Sequence, residues 1–133
     1  MERDKITIDK NIIESYLMLS EKDIAIRLGT AVLSNGDLYC TIPTKKEIAA
    51  ALSLWIRDKY NKVKFAVCTN KESITGKRNT AVYAVVDLIL SLKNIPAIVT
   101  LSVSIVDYGI DKFCAGEVDI FVNYLVNMLD DKI

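Results

Sequence analysis

The run Ala97-Ile-Val-Thr-Leu-Ser-Val-Ser-Ile-Val106 is among the longest apolar stretches of the chain. Ile, Val and Thr are branched at Cβ, and such residues are enriched in β-strands. The run is about half the length of the roughly 20 apolar residues that cross a bilayer as a helix. We therefore predict a long buried strand over Ala97–Val106 that begins after Pro96, and we expect no association with a membrane.

Amphipathic segments lie on both sides of this run. Thr80–Lys93 and Glu117–Asp130 place apolar residues three and four positions apart, which is typical of helices with one buried face. The expected inward residues are Val82, Val85, Val86, Ile89 and Leu92 in the first helix and Val118, Phe121, Val122, Leu125 and Leu129 in the second. Asp107–Gly116 between strand and second helix reads as a loop.

Further upstream, Thr44-Lys-Lys-Glu47 is a capping box, in which the Thr hydroxyl and the Glu carboxylate bind each other's backbone amides. The helix that it opens is expected to run to about Tyr60, with Ile48, Ala51, Leu52, Trp55 and Ile56 on one face. Val63, Phe65 and Val67 then alternate with Lys64 and Ala66, which predicts a strand that ends near Thr69 and a loop over Asn70–Asn79.

The first third of the chain favours β-structure. Lys5–Asp9 alternates like a short strand, whereas Asn11–Leu19 suits a helix about as well as a strand. Asp23–Leu33 and Asp37–Ile42 flank Asn35-Gly36, a typical hairpin turn. The expected fold is α/β, a mixed sheet of an antiparallel hairpin and parallel strands flanked by helices, in a single domain over residues 1–133.

Charge is balanced overall but unevenly distributed. The 17 basic and 17 acidic residues cancel, so no net field attracts the whole molecule to nucleic acid. Seven basic residues nevertheless fall between Arg57 and Arg78 against two acidic ones, and six acidic residues follow from Asp107 onward against two lysines. Such a basic block is either an ordinary solvated face or an anion-binding edge.

Histidine is absent, and the three cysteines Cys40, Cys68 and Cys114 are widely spaced in apolar surroundings. This pattern argues against a structural zinc site and against catalysis by a serine or cysteine with histidine. We read all three cysteines as reduced, mostly buried thiols, which leaves carboxylates as the plausible catalytic groups. Met1–Asp9 has no apolar core typical of a signal peptide, so a cytoplasmic location is expected.

Four polar positions fall at the ends of predicted elements: Asp9, Glu47, Asn70 and Asp119. Their order resembles the ribonuclease H family, including the ribonuclease H domains of reverse transcriptases. Thr44-Lys-Lys-Glu47-Ile-Ala-Ala-Ala-Leu is similar to the Glu-bearing first helix of that family, and Phe65-Ala-Val-Cys-Thr69-Asn70 to its strand end. Glu117-Val-Asp119-Ile-Phe-Val-Asn123 is similar to its last helix.

The resemblance implies a site in which Asp9, Glu47 and Asp119 hold Mg²⁺ for cleavage of RNA in RNA/DNA hybrids. Asn70 stands where the family has an Asp, which removes one charged ligand, and the family's glycine-rich stretch after the first Asp and its mobile-loop histidine are missing. Two hypotheses remain open: a nuclease with weakened activity, or a non-catalytic module that binds a nucleic-acid backbone or a protein partner.

Overall fold

The computed structural model describes residues 10–34 and 44–129, and within these ranges the chain is helical and contains no β-strand. The predicted α/β mixed sheet is therefore wrong, and the resemblance to ribonuclease H fails with it. The helices of the described part are α1 (Lys10–Leu17), α2 (Glu21–Ser34), α3 (Lys45–Thr69), α4 (Arg78–Leu88), α5 (Ile95–Tyr108), α6 (Ile110–Ala115) and α7 (Val118–Leu129).

Helix α5 is the centre of the fold. Every residue from Ala97 to Ile105 is buried, because α1, α2, α4 and α6 all pack against this helix. A helix that is apolar on all sides is stable only when neighbours surround it. The predicted strand over Ala97–Val106 is wrong because this packing outweighs the β-propensity of Val and Ile, and because a fully buried helix has no polar face to reveal its period.

The hydroxyl groups inside α5 are satisfied within the helix itself. Thr100, Ser102 and Ser104 each donate to the carbonyl oxygen four residues earlier, at 2.7, 2.8 and 2.9 Å. Such bonds allow small hydroxyl side chains to lie in an apolar core without an unsatisfied polar group. The start of the helix is fixed by Asn94, whose side chain accepts from the Ala97 amide, and by Pro96, which needs no amide partner in the first turn.

Helix α3 continues through the segment that was predicted to be a strand. Its capping box is confirmed: the Glu47 amide donates to the Thr44 hydroxyl at 3.1 Å, and the Thr44 amide donates to the Glu47 carboxylate at 2.8 Å. The helix does not end near Tyr60 but runs to Thr69 over 25 residues, about 37 Å. The predicted strand over 63–69 is wrong because Val63 and Val67 lie four residues apart on one buried helical face.

Substitutions of Phe65 and Val67 distinguish a helix from a strand in this segment. A strand would place both side chains on the same face, whereas in α3 Phe65 is 73% exposed and Val67 is 0% exposed. We expect Phe65→Ala to change the free energy of unfolding by less than about 0.5 kcal/mol and Val67→Ala to lower it by about 2 kcal/mol. Urea unfolding followed by circular dichroism measures both, and a larger loss for Phe65→Ala would contradict the helix.

The N-terminal third is helical where it is described. Asn11–Leu19, for which helix and strand were equally suited, is helical up to Leu17 as part of α1, and the predicted hairpin arm Asp23–Leu33 is wrong because it lies within α2. A Cβ atom at Gly29 would collide with the Ile48 side chain, so glycine allows α2 to approach the start of α3 closely. Lys5–Asp9, the Asn35-Gly36 turn and Asp37–Ile42 lie outside the described residues.

The C-terminal half confirms the predicted helices better than the segments between them. α4 buries Val82, Val85 and Val86 as expected, although it ends at Leu88 and is followed by a short 3-10 helix over Leu90–Leu92. α7 buries the expected Phe121, Val122, Leu125 and Leu129. The predicted loops are partly wrong, since Lys71–Ser73 is a 3-10 helix and Asp107–Gly116 contains α6.

The core of the described residues is one connected apolar cluster to which all seven of these helices contribute. Within the same ranges, none of the helices combines the length and the hydrophobicity that a bilayer crossing requires.

Candidate interaction surface

Two of the four predicted site residues lie far apart in the structure. Glu47 lies in the first turn of α3 and Asn70 caps the other end of the same helix, so a rise of 1.5 Å per residue separates them by about 35 Å. Asp119 lies in the first turn of α7, and Asp9 falls outside the described residues. Across residues 10–34 and 44–129, no three Asp, Glu or Cys side chains come together as potential metal ligands.

Each of the three described positions has a structural role. Glu47 completes the capping box, and the Asn70 side-chain amide donates to the Ala66 carbonyl at 2.8 Å where α3 ends. Asp119 accepts a hydrogen bond from Arg57 and forms an ion pair that joins α7 to α3. These roles account for the residue types at all three positions without a bound metal ion.

Basic residues of the block between Arg57 and Arg78 pair with acidic residues of the C-terminal part. Arg78 binds Asp107 through two nitrogens at 2.7 and 3.0 Å, and these hydrogen bonds raise the pKa of Arg78. Lys71 lies 3.2 Å from Asp111, in addition to the pair between Arg57 and Asp119. Three members of the basic block therefore bind acidic residues of the C-terminal part, which reduces the charge available for an anion.

The most exposed apolar side chains of a described helix interior lie on the outward face of α3. Leu54 is 72% exposed and Phe65 is 73% exposed. They are eleven residues apart, which is close to three helical turns, so both side chains point in nearly the same direction. The buried residues Leu52, Ile56 and Val63 lie on the opposite side of the helix. The pair therefore faces directly away from the core.

An apolar depression adjoins this face. It lies between the end of α2 and the first half of α3, has a volume of about 550 Å³, and is lined mainly by the side chains of Val32, Leu33, Ala50, Ala51, Leu54 and Trp55. Glu47 and Asp58 form its polar edge. Ala51 and Trp55 were predicted to be core residues of α3, but they are half-buried and form the walls of this depression.

The other flank of α3 holds α6 in place. Tyr60, Lys64 and Cys68 follow each other at intervals of one turn. The Tyr60 hydroxyl and the Lys64 ammonium group donate to the Gly116 carbonyl at 3.2 and 3.1 Å. Burial raises the pKa of Tyr60, and the nearby Tyr108 and Glu117 add to the effect.

Cys68 forms a disulfide bond with Cys114 of α6, with 5.7 Å between their Cα atoms. The prediction that these two cysteines are reduced thiols is therefore wrong, while Cys40 lies outside the described residues. The two cysteines are 46 positions apart, and no CxxC motif in the sequence indicates that they pair. Only the packing of α6 on the end of α3 brings them together.

No protein-family model matches the chain, and neither a characterised protein nor a solved structure is significantly similar to it. Any function must therefore be argued from the surface itself.

Proposed function

We propose that this chain is a helical protein-binding module that acts through the outward face of α3. The observation that carries the proposal is the combination of two strongly exposed apolar side chains, Leu54 and Phe65, with the apolar depression beside Trp55. Exposed apolar surface of this kind, rimmed by polar residues such as Asp58, is typical of sites that bind other proteins.

A protein partner fits this face better than a nucleic acid. Stacking on bases and contacts with phosphates call for aromatic side chains among unpaired cations. Here Arg57, Lys71 and Arg78 already bind carboxylates, and the net charge is zero. Mg²⁺-dependent cleavage of RNA/DNA hybrids stays an untested prediction, and the helical fold removes the resemblance on which it rested.

The shape of the site favours a helical ligand. A depression beside an exposed helix can accept apolar side chains that recur at three- and four-residue intervals on a partner helix. Trp55 in its wall would contact such a side chain. Asp58 at its edge pairs with Lys59 at 3.2 Å through Oδ2, so a basic residue of the partner would bind Oδ1. The expected partner segment is thus an amphipathic helix with positive charge beside its apolar stripe.

Trp55 is the only tryptophan of the chain and provides a direct test. We would titrate the protein with an amphipathic model helix of leucine and lysine and follow Trp55 fluorescence. The matched control peptide has the same composition in an order that destroys the apolar stripe. A saturable blue shift with the first peptide alone supports the proposal, and Leu54→Glu should abolish it. Equal responses to both peptides, or no response to either, would reject binding of a foreign helical ligand at this face.

Cytoplasmic location stays a prediction, and one structural feature opposes it. Disulfide bonds persist in oxidising compartments and are rare in the cytosol. We therefore infer that the chain works in an oxidising environment, supported by the bond between Cys68 and Cys114. Alkylation of intact cells before lysis tests this, because mass spectrometry then finds the peptides of Cys68 and Cys114 either joined or separately alkylated. Separate alkylation would contradict the inference.

A further inference from the structure

We propose that the partner at the outward face of α3 is a second copy of this chain, bound so that the two α3 helices run antiparallel across a two-fold axis. This inference rests on the proposed function and specifies its partner. In such a dimer the same patch of each copy meets the other, so each contact occurs twice.

The positions of the two apolar side chains suit this symmetry. Leu54 and Phe65 point within about 20° of each other, since eleven residues at 100° per residue make nearly three full turns. An axis that passes between Lys59 and Tyr60 exchanges the levels of residues 54 and 65. Leu54 of each copy then faces Phe65 of the second copy, and no apolar side chain of the pair is left without a counterpart.

The charged side chains of the same face are complementary under the same axis. Asp58 and Lys62 are both exposed and lie about 40° and 80° from Leu54 on the same flank of α3. Asp58 pairs through Oδ2 with Lys59 of its own chain at 3.2 Å, and Lys62 of the second copy would bind the same carboxylate. In the antiparallel arrangement, Asp58 of one copy lies within about one residue's rise of the level of Lys62 of the second copy. Two opposite-charge pairs would therefore flank the axis. A parallel two-fold arrangement would place this flank of the two copies on opposite sides of the interface, so neither pair would form.

Shape adds a third argument. The depression lies on the same flank of α3 as Asp58, at the level of Leu54 and Trp55. Phe65 of the second copy reaches this level, so its ring enters the depression while the small side chains of Ala50 and Ala51 allow close approach. A protruding aromatic side chain thus meets a concave apolar site, which is the usual composition of an interaction hot spot.

The size of the interface sets the expected affinity. An interface of one helix pair and a shallow depression buries an area at the low end of the range for specific interfaces. We therefore expect a dissociation constant of about 1–100 μM. Sedimentation equilibrium at concentrations on both sides of this range measures it.

Phe65→Glu is the first test variant. It introduces charge twice into the apolar contact and should weaken dimerisation at least about a hundredfold. Met18→Glu is the matched control, because Met18 is 86% exposed but lies outside α3, and it should leave the dimer unchanged. A dimer that persists in Phe65→Glu would overturn the proposal, and so would equal losses in both variants.

The charge pair gives a test that loss of folding cannot mimic. Asp58→Lys alone places two positive charges against each other in both pairs, and Lys62→Glu alone places two negative charges there. Each variant should therefore form a weaker homodimer than the wild type. A mixed dimer of the two variants differs from both homodimers, because each of its two pairs joins opposite charges.

The first pair joins position 58 of the Asp58→Lys copy to position 62 of the Lys62→Glu copy, where a new ammonium group meets a new carboxylate. The second pair joins Lys62 of the first copy to Asp58 of the second copy, as in the wild type. The mixed dimer thus restores both opposite-charge pairs. We expect the mixture to dimerise at least about tenfold more tightly than either variant alone. No gain on mixing would contradict the antiparallel register.

The inference and the proposed function can fail separately. A wild type that remains monomeric throughout the concentration range overturns the self-association. The fluorescence titration with the amphipathic helix then decides whether the face of α3 binds a different protein. Failure of the titration while the wild type dimerises through Phe65 would instead remove heterologous helix binding and leave the dimer.

Discussion

Phe121→Ala should lower the free energy of unfolding by about 3–5 kcal/mol, the range for removal of a fully buried aromatic ring. Phe121 is 1% exposed, and its ring lies 5.0 Å from that of Phe113 and 5.2 Å from that of Tyr108, both in edge-to-face geometry. Tyr60 extends this cluster through Phe113. One residue of α7 thus joins α5 and α6, and its loss leaves a cavity where these helices meet.

The neighbouring residue provides the control. Ile120 is 57% exposed on the same helix, and Ile120→Ala should change the free energy of unfolding by no more than about 0.5 kcal/mol. Chemical unfolding of both variants, followed by far-ultraviolet circular dichroism, measures the difference. Comparable losses in the two variants, or a loss below about 1.5 kcal/mol for Phe121→Ala, would mean that the aromatic cluster does not form as described.

The parts of the fold that could be predicted are those whose signals are local. The capping box of Thr44 and Glu47 is an exchange of hydrogen bonds within four residues, and it correctly gives the start of α3. α7 has apolar residues on one face and asparagines on the other, so its helical period is visible in the sequence. Neither prediction depends on where the other helices lie.

Helix α5 could not be predicted because its environment is set by the rest of the chain. The sequence shows ten consecutive residues with no charged side chain, and such a run has the same appearance in a buried strand and a buried helix. Ser102 and Ser104 alternate with Val103 and Ile105 and so imitate the two-residue period of a strand. The cap at Asn94, followed by Pro96, was the local signal that favoured a helix.

The same difference between local signals and features set by the whole fold applies to the candidate site. Acidic residues at element ends suggested a shared metal site, but convergence depends on the fold, and the helical fold places Glu47 and Asn70 at opposite ends of α3. The exposed Leu54 and Phe65 were not identified, because Phe65 had been assigned to the alternating apolar positions of a strand. Helical continuation past Tyr60 would have placed Phe65 and Leu54 on one outward line.

The uneven distribution of charge along the chain reflects pairing within the fold, which the sequence analysis did not predict. The basic block was interpreted as either an ordinary solvated face or an anion-binding edge, and the acidic C-terminal part was noted without a partner. In the fold they are partners of each other, through the pairs that Arg57, Lys71 and Arg78 form with Asp119, Asp111 and Asp107. Each exposed pair stabilises the fold by less than about 1 kcal/mol. Together the three pairs join α3 to α7, the 3-10 helix Lys71–Ser73 to α6, and α4 to α5, and so favour this arrangement over alternatives.

Loss of the disulfide bond should lower the free energy of unfolding by about 4 kcal/mol. The estimate follows from the entropy of closing a loop between residues 46 positions apart in the unfolded chain. We expect Cys68→Ser combined with Cys114→Ser to show this loss in urea unfolding. The wild type treated with dithiothreitol should show the same loss, while dithiothreitol should not affect the double variant. An unchanged unfolding midpoint of the reduced wild type would contradict the prediction.

Hydrogen exchange would show which helices lose amide protection when the disulfide bond is reduced. The hydrogen bonds from Tyr60 and Lys64 to the Gly116 carbonyl and the pair between Lys71 and Asp111 do not depend on the disulfide, so α6 should stay packed on α3 after reduction. If the bond acts mainly on the unfolded chain, the slowest amides of the central helix α5 should lose protection by the full amount. Faster exchange confined to α6 would instead mean that the bond holds this helix locally against α3.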